Sequence, residues 1–325
     1  MVERPFATHS ERAQSAFTFE RGSPGIIVML LRFRSDRRTL VWAFVLFPLL
    51  PALAYLEPRA LWLVTPLVFY LSYCAGVLTH NHTHSPVFRR KGWNRLYSLW
   101  LSLFYGCPVF VWIPTHLANH HRYLNGEGDV ARTSRHASRN TALSAVSYPF
   151  RAAQFQWPLI REYALSAKAS GGGRLWQIVA EGSAVVLGHA ALLGLALWLH
   201  GPSTGARVYV LAVGLPAALA PSWMMFTNYL QHVECDPRSA ENHSRNFVNR
   251  WFNWLTFDNG YHTVHHEQPG LHWSLVRAEH HARDRGIAPH LQADSPFSYC
   301  FIEYALRPAS DGFRRKFPRA PGLKN

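Results

Sequence analysis

Residues 60–84 read ALWLVTPLVFYLSYCAGVLTHNHTH. The first part, Ala60–Leu78, carries no charge and is close to the ~20 apolar residues a helix needs to cross a bilayer. The histidines follow at once. His80 and His84 stand four apart and so share one helix face just beyond the apolar run. Imidazole is the commonest protein ligand for iron, copper and zinc. The stretch therefore predicts a membrane span that ends in a metal-binding face, with His82 pointing elsewhere, behind the ligands or toward a substrate.

Upstream, Thr39–Leu56 is a second apolar run, joined to Ala60 by the tight turn Glu57-Pro58-Arg59. Two spans with almost no intervening loop make a hairpin. Residues 178–199 and 208–230 repeat the pattern around the segment from His200 to Gly205. Lys and Arg crowd one side of both hairpins, from Arg37 and Arg38 through Arg89, Arg90 and Lys91 to Arg238, Arg245 and Arg250. The far loops hold only Arg59 and Arg207. The positive-inside rule then places both termini and every histidine cluster in the cytoplasm. The expected fold is an all-α integral membrane protein, four transmembrane helices in two hairpins under a cytoplasmic helical cap that carries the histidines. Its parts are a polar tail with an interfacial helix near Gly25–Phe33 (1–38), the membrane domain (39–300) and a basic tail (301–325). Trp93–Pro114 is apolar but follows Arg89-Arg90-Lys91, and crossing would carry the next cluster to the opposite side. A helix flat in the interface is expected there, and again near Tyr148–Ile160. Gly171-Gly172-Gly173 reads as a flexible link.

Three further clusters join the first: His116, His120 and His121; Asn228 and His232; and His262, His265 and His266. The last follows the helix-start signal Asp258-Asn259-Gly260 and stops before Pro269-Gly270. Structural zinc closes at four ligands and catalytic zinc usually takes three, so nine imidazoles suit two redox ions better. Glu127, Asp129, Glu234, Asp258 and Glu267 lie close enough in sequence to orient histidines through their second nitrogen. Ferritin-like sites are excluded, since their Glu-x-x-His pattern is missing. His9, His136, His243, His290 and the pair His280-His281 read as exposed, His200 as interfacial, and His189 as a hydrogen bonder between helices. His272 and Trp273 are candidates for the wall of the site.

The chain of 325 residues has a net charge of +14 and a mean hydropathy of -0.08, an average that conceals the segregation of apolar runs from Arg- and His-rich stretches. No zinc finger, RNP-like or helix-turn-helix pattern accompanies the charge, so no nucleic-acid partner is expected. Cys74, Cys107, Cys235 and Cys300 are scattered and form no CxxC, which argues against a thiolate metal site or a disulfide framework; Cys74 and Cys107 read as packing residues. The first ~25 residues lack the basic–apolar–small order of a signal peptide.

His80/His84 as HxxxH, His116/His120/His121 as HxxxHH and His262/His265/His266 as HxxHH together resemble the membrane fatty acid desaturase superfamily, from about the first span to about residue 275. Asn228 and His232 match its NxxxH element, and Asn125, Asp129 and Gly260-Tyr261 are similar to its flanking positions. Asn81 stands where an acid is usual. The resemblance implies a non-heme di-iron centre held by His80, His84, His116, His120, His121, His232, His262, His265 and His266, with Asn228 assisting one iron through water. It implies an O2-dependent oxidoreductase that introduces a double bond into an acyl chain carried on lipid, CoA or ACP. Electrons would come from a separate ferredoxin, rubredoxin or cytochrome, for which the basic residues Arg132, Arg135 and Arg139 offer a landing site. The same boxes serve hydroxylases, carotenoid ketolases and alkene-forming decarboxylases, so a monooxygenase or decarboxylase acting on lipid, alkane or terpenoid is the alternative. A metal carrier without catalysis would need a polar path, and the spans offer little beyond Glu181 and His189. Oligomeric state is not encoded in any readable motif.

Overall fold

The computed structural model describes residues 30–283 and 286–307. The polar tail, His9, most of the Gly25–Phe33 segment and residues 308–325 lie outside the described residues. Helix dominates, and three stretches are long and apolar enough to cross a bilayer: α1 (Asp36–Leu56), α2 (Pro58–His84) and Gly172–His232. A fourth candidate is a bent pair, α3 (Lys91–Tyr105) and α4 (Val109–Tyr123), which meet at 94°. Two parallel two-residue strands, Asn246–Phe247 and Gln292–Ala293, qualify the all-α expectation slightly.

The stretch Gly172–His232 comprises α6 (Gly172–Tyr209) and α7 (Leu215–His232), preceded by α5 (Ala142–Ser170). Inside α6 the helix breaks at Gly201, where φ is 74°. The two limbs then press together: a Cβ at Gly205 would fall 2.4 Å from the Ala196 carbonyl oxygen. His189 Nδ1 lies 3.1 Å from the Tyr209 hydroxyl across the same seam, and its Nε2 lies 3.0 Å from the Leu103 carbonyl. His189 thus ties three helical segments. His200 Nε2 sits 2.7 Å from the Tyr55 carbonyl at the end of α1. Small residues let these backbones approach, as apolar helices in lipid require, since lipid tails offer no hydrophobic gain. Gly188, packed on Leu103, and Gly76, packed on Met224 and Tyr105, do the same. Large apolar side chains cover the outside, with Trp62 and Trp198 each 79% exposed. Such a surface needs an apolar solvent.

The structure departs from the sequence reading at Trp93–Pro114. That segment is not one helix: it bends by 94° and packs into the helices around it. Helix α3 packs along α2, with Tyr97 against His82 and Tyr105 beside Gly76, so it runs antiparallel to the end of α2. The Trp100 indole donates to the Ala43 carbonyl of α1 at 2.7 Å. Gly106 then reverses the chain with φ 69°, pressed so closely on Ala217 that an added Cβ would lie 2.4 Å from its carbonyl oxygen. Only glycine fits both the left-handed backbone and that approach. The chain returns through α4, whose His116 reaches His80. The physical reason is burial: aromatic residues of α3 find partners on α1 and α2. The segment runs out along α2 and back, so the second histidine cluster lands beside the first.

Glu181, buried within α6, explains how the return is pinned. Its carboxylate accepts the Phe110 backbone N–H at 2.6 Å and the Gln177 side-chain N–H at 2.9 Å. An acidic group at the first turn of α4 is where free N–H donors and the helix dipole favour one.

Candidate metal centre

Four helical segments deliver nine imidazoles to one place. They come from the end of α2, from α4, from the end of α7, and from α9 (His262–Glu267), which follows the short α8 (Arg250–Leu255). The ligand nitrogens fall into two groups, each within 4.8 Å of one another: His80, His84, His116, His121 and His265 in one, His120, His232, His262 and His266 in the other. Each group could hold a metal ion.

The first group has a definite shape. Nε2 of His80 lies 2.9 Å from Nε2 of His116 and 2.9 Å from that of His265. His121 closes the square at 3.0 Å from both. Two nitrogens bound at right angles to an ion at ~2.1 Å sit about 3.0 Å apart, given ordinary metal–imidazole bond lengths. His84 completes the five with a buried Nε2 that has no hydrogen-bond partner among the described residues. In the second group, His232, His262 and His266 form a triangle with edges of 2.9, 2.9 and 3.1 Å. The fourth member, His120, likewise has a buried, unpartnered Nε2. Such orphaned nitrogens are costly unless something accepts their lone pairs. The donor set, the spacing and the two orphans fit resident metal ions.

Local backbone explains the division. Residues Ile113–His120 form widened turns that bond i to i+5, a geometry often found at functional sites. It brings His116 and His121 to one group and turns His120 to the other. On α9 the α-helical period holds instead: His262 and His266 go together while His265 joins the first group. Burial, then repulsion from neighbouring imidazoles, pushes the pKa of His262, His265 and His266 well below the ordinary value, which keeps their nitrogens neutral and available as ligands. Gly260 admits α9 to its place, since a Cβ there would lie 2.2 Å from the Phe247 carbonyl oxygen.

Of the five acidic residues proposed to orient histidines, Asp129 does so. Its Oδ2 lies 2.7 Å from His120 Nδ1 and accepts the Asn125 backbone N–H at 2.8 Å, and its Oδ1 accepts that of Ala131 at 2.7 Å. Burial alone would raise its pKa, but His120 and these backbone donors bring it below the usual carboxylate value. Glu267 pairs with Arg283 instead, and Glu127 is exposed. Asn81 Oδ1 lies 3.2 Å from His80 Nδ1, so it serves where an acid was expected. His82 accepts the Val87 N–H on Nδ1 and stacks its edge on Tyr97; it faces neither group. Asn228 donates to the Tyr148 hydroxyl at 3.1 Å and lines the adjoining cavity. His272 turns away to Asp36 and Phe33, whereas Trp273 edges a small cavity with His80, His84 and His265.

Three histidines expected at the surface are not there. His243 and His280 are buried, the latter against the Tyr261 ring, because the 236–244 loop and α10 (Trp273–Arg283) cover α9. His136 is half-buried, with Nε2 3.1 Å from Ser144 O and Ser147 Oγ. Cys107 packs against the main core, as expected, and also edges the cavity.

A cavity of about 250 Å³ opens onto both groups, touching His80 and His116 of the first and His120 and His262 of the second. Tyr105, Trp112, Met224, Met225, Trp157 and Ile160 give it an apolar wall. Trp157 and Ile160 belong to α5, a segment whose place beside the site no sequence motif announced.

The fatty acid desaturase family matches this chain over residues 56–297, and the chain belongs to that family. Membership implies an oxidoreductase of the desaturase/hydroxylase type, a lipid or acyl substrate and an electron donor; the family is known for di-iron use. No match is found among curated proteins or among solved structures.

Proposed function

We propose that the protein is a membrane-bound acyl desaturase whose nine histidines hold two iron ions, one in each group, with Asn228 beside the second. The observation that carries this reading is the apolar cavity ending on histidines of both groups. Bound iron would supply the reductive activation of O2 needed to remove hydrogen from an unactivated methylene. The chain supplies the rest. An apolar space of ~150 Å³ holds benzene, so about 250 Å³ suits roughly ten carbons. At ~0.8 kcal/mol per methylene, about 8 kcal/mol would hold an acyl segment in register. The hydroxyls of Thr115 and Thr227 are spent on helix carbonyls of Val111 and Trp223. They compete little for substrate, and the bound methylenes are fixed by shape. That positioning decides between a second hydrogen abstraction and oxygen insertion.

In this reading the protein is a four-span cytoplasm-facing enzyme. α1 with α2 and the two limbs of Gly172–His232 form the hairpins, and the termini and histidines lie on the side rich in Arg and Lys. A soluble ferredoxin, rubredoxin or cytochrome docks near Arg135 and Arg139, which are exposed, and Arg132, which is partly buried. The test is lipid profiling by mass spectrometry of cells with and without the protein. Loss of two hydrogens supports desaturation; gain of one oxygen assigns a hydroxylase, and loss of the carboxyl carbon a decarboxylase. Replacing His265 with Ala should abolish the product and lower iron content. Undiminished activity in that variant refutes the proposed centre.

A further inference from the structure

Four buried histidines stand outside the nine, His82, His243, His272 and His280, and of these His243 is the one in ring contact with a histidine of either group. His243 is 3% exposed, and its ring centroid lies 5.6 Å from that of His266 at a steep angle of 77°. Its Nδ1 is 2.9 Å from the Ala240 carbonyl oxygen and 3.3 Å from that of Ser239. A carbonyl only accepts, so the proton of the neutral ring is on Nδ1 and Nε2 is left as an acceptor. That Nε2 is buried and has no partner among the described residues.

His266 shows the complementary need. Its Nε2 belongs to the second group, 2.9 Å from His262 Nε2 and 3.1 Å from His232 Nε2. A ring that gives Nε2 to a metal carries its proton on Nδ1, and such an N–H normally meets a carboxylate, a carbonyl or water. Yet His266 Nδ1 is also buried without a partner. Donor and acceptor are thus both orphaned on adjacent rings. The main chain of the same residue serves a third ring, since the His243 carbonyl oxygen lies 3.3 Å from His232 Nδ1.

We propose that His243 is a positioning residue for the four-histidine group: its Nε2 accepts the Nδ1–H of His266, directly or through one water, and its carbonyl holds His232. Together with Asp129 on His120, this gives three of the four imidazoles a fixed tautomer and orientation. His243 touches neither substrate nor metal. The proposal rests on the reading of the two groups as iron sites.

Two substitutions separate this role from a merely structural one. H243N retains a donor near Nδ1, so it keeps the bond to the Ala240 carbonyl and loses the acceptor at Nε2. H243Q reaches the Nε2 position with a carbonyl oxygen and gives up the Ala240 bond. Purified protein is titrated anaerobically with ferrous iron against a chelator. Wild type is expected to bind two irons per chain. H243Q should keep both affinities near wild type, while H243N should bind the weaker of its two irons 10- to 100-fold less tightly, the usual cost of losing such a contact. If loop anchoring is the only role, the order reverses, with H243N like wild type and H243Q impaired. That order, or equal behaviour of the two variants, overturns the proposal. A wild-type protein that binds no iron overturns the reading beneath it instead.

Discussion

Replacing Asp129 with Asn changes one oxygen to an amide and removes a charge with almost no change in volume. The carboxylate now takes three hydrogen bonds, from His120 Nδ1 at 2.7 Å and from the backbone N–H groups of Asn125 and Ala131 at 2.8 and 2.7 Å. An asparagine has one acceptor oxygen. If that oxygen stays with His120 and Asn125, its NH2 meets the Ala131 N–H, donor against donor, in a buried site. One lost bond with an unsatisfied partner costs about 1–3 kcal/mol of folding stability. His120 keeps its tautomer but loses the charge that strengthens it as a ligand. Loss of such support typically weakens metal binding 10- to 100-fold, about 1.4–2.7 kcal/mol. Because His120 serves only the four-histidine group, the loss should fall on one of two irons. Anaerobic iron titration of the D129N protein, with metal per chain measured after gel filtration, should show one site unchanged and one weakened. Parallel weakening of both sites, or no weakening, refutes the separation into two groups.

Three further outcomes follow from particular contacts. Asp258 is held at a pKa of about 6 by burial, against the partial opposition of Arg38 and Arg277. The folded state thus binds more protons than the unfolded chain between about pH 4 and 6, and stability falls as pH rises through that window. D258N should flatten thermal unfolding there and gain about 2 kcal/mol at neutral pH, after allowance for partial exposure; φ is 56° at Asp258, a conformation asparagine tolerates. An unchanged pH profile of the melting temperature speaks against the buried charge. G76A places a methyl 2.6 Å from Met224 Cγ and 2.8 Å from Tyr105 Cε2, and the flexible Met224 should yield into the cavity both residues line. Space for about one methylene is lost, so the KM of the longest substrates should rise about 4-fold while iron content stays constant. R135A/R139A should slow turnover with a fixed acidic donor most at low ionic strength, where the Debye length is longest; equal slowing at all salt concentrations argues for damage within the fold.

The candidate spans and the histidine clusters were legible because both are local properties. Run length finds α1 and α2, and spacing on a helix finds His80 with His84 and His262 with His266. What was illegible depended on tertiary packing. No periodicity reveals that α3 packs along α2, because Trp100 and Tyr105 serve as interfacial aromatics or as partners for Ala43 and Gly76 equally well. Nor does any rule for exposed histidines reveal that the loop before Arg245 folds over α9 and buries His243.

The widened turns of α4 show the limit most clearly. An α-helical period pairs His116 with His120, four apart. The structure pairs His116 with His121, five apart, at 3.0 Å between their Nε2 atoms, and turns His120 toward His232 and His266. The consequence is mechanical. α4 and α9 each contribute to both groups, whereas α2 and α7 each serve one. The two groups are therefore fixed relative to each other by shared helices, so that neither can shift without dragging the other's histidines. An ordinary helix at Ile113–His120 would place His120 and His116 on one face and break that cross-linking. The i to i+5 turns, in a helix anchored at Phe110 by Glu181 and held at His120 by Asp129, are what lets α4 supply both groups.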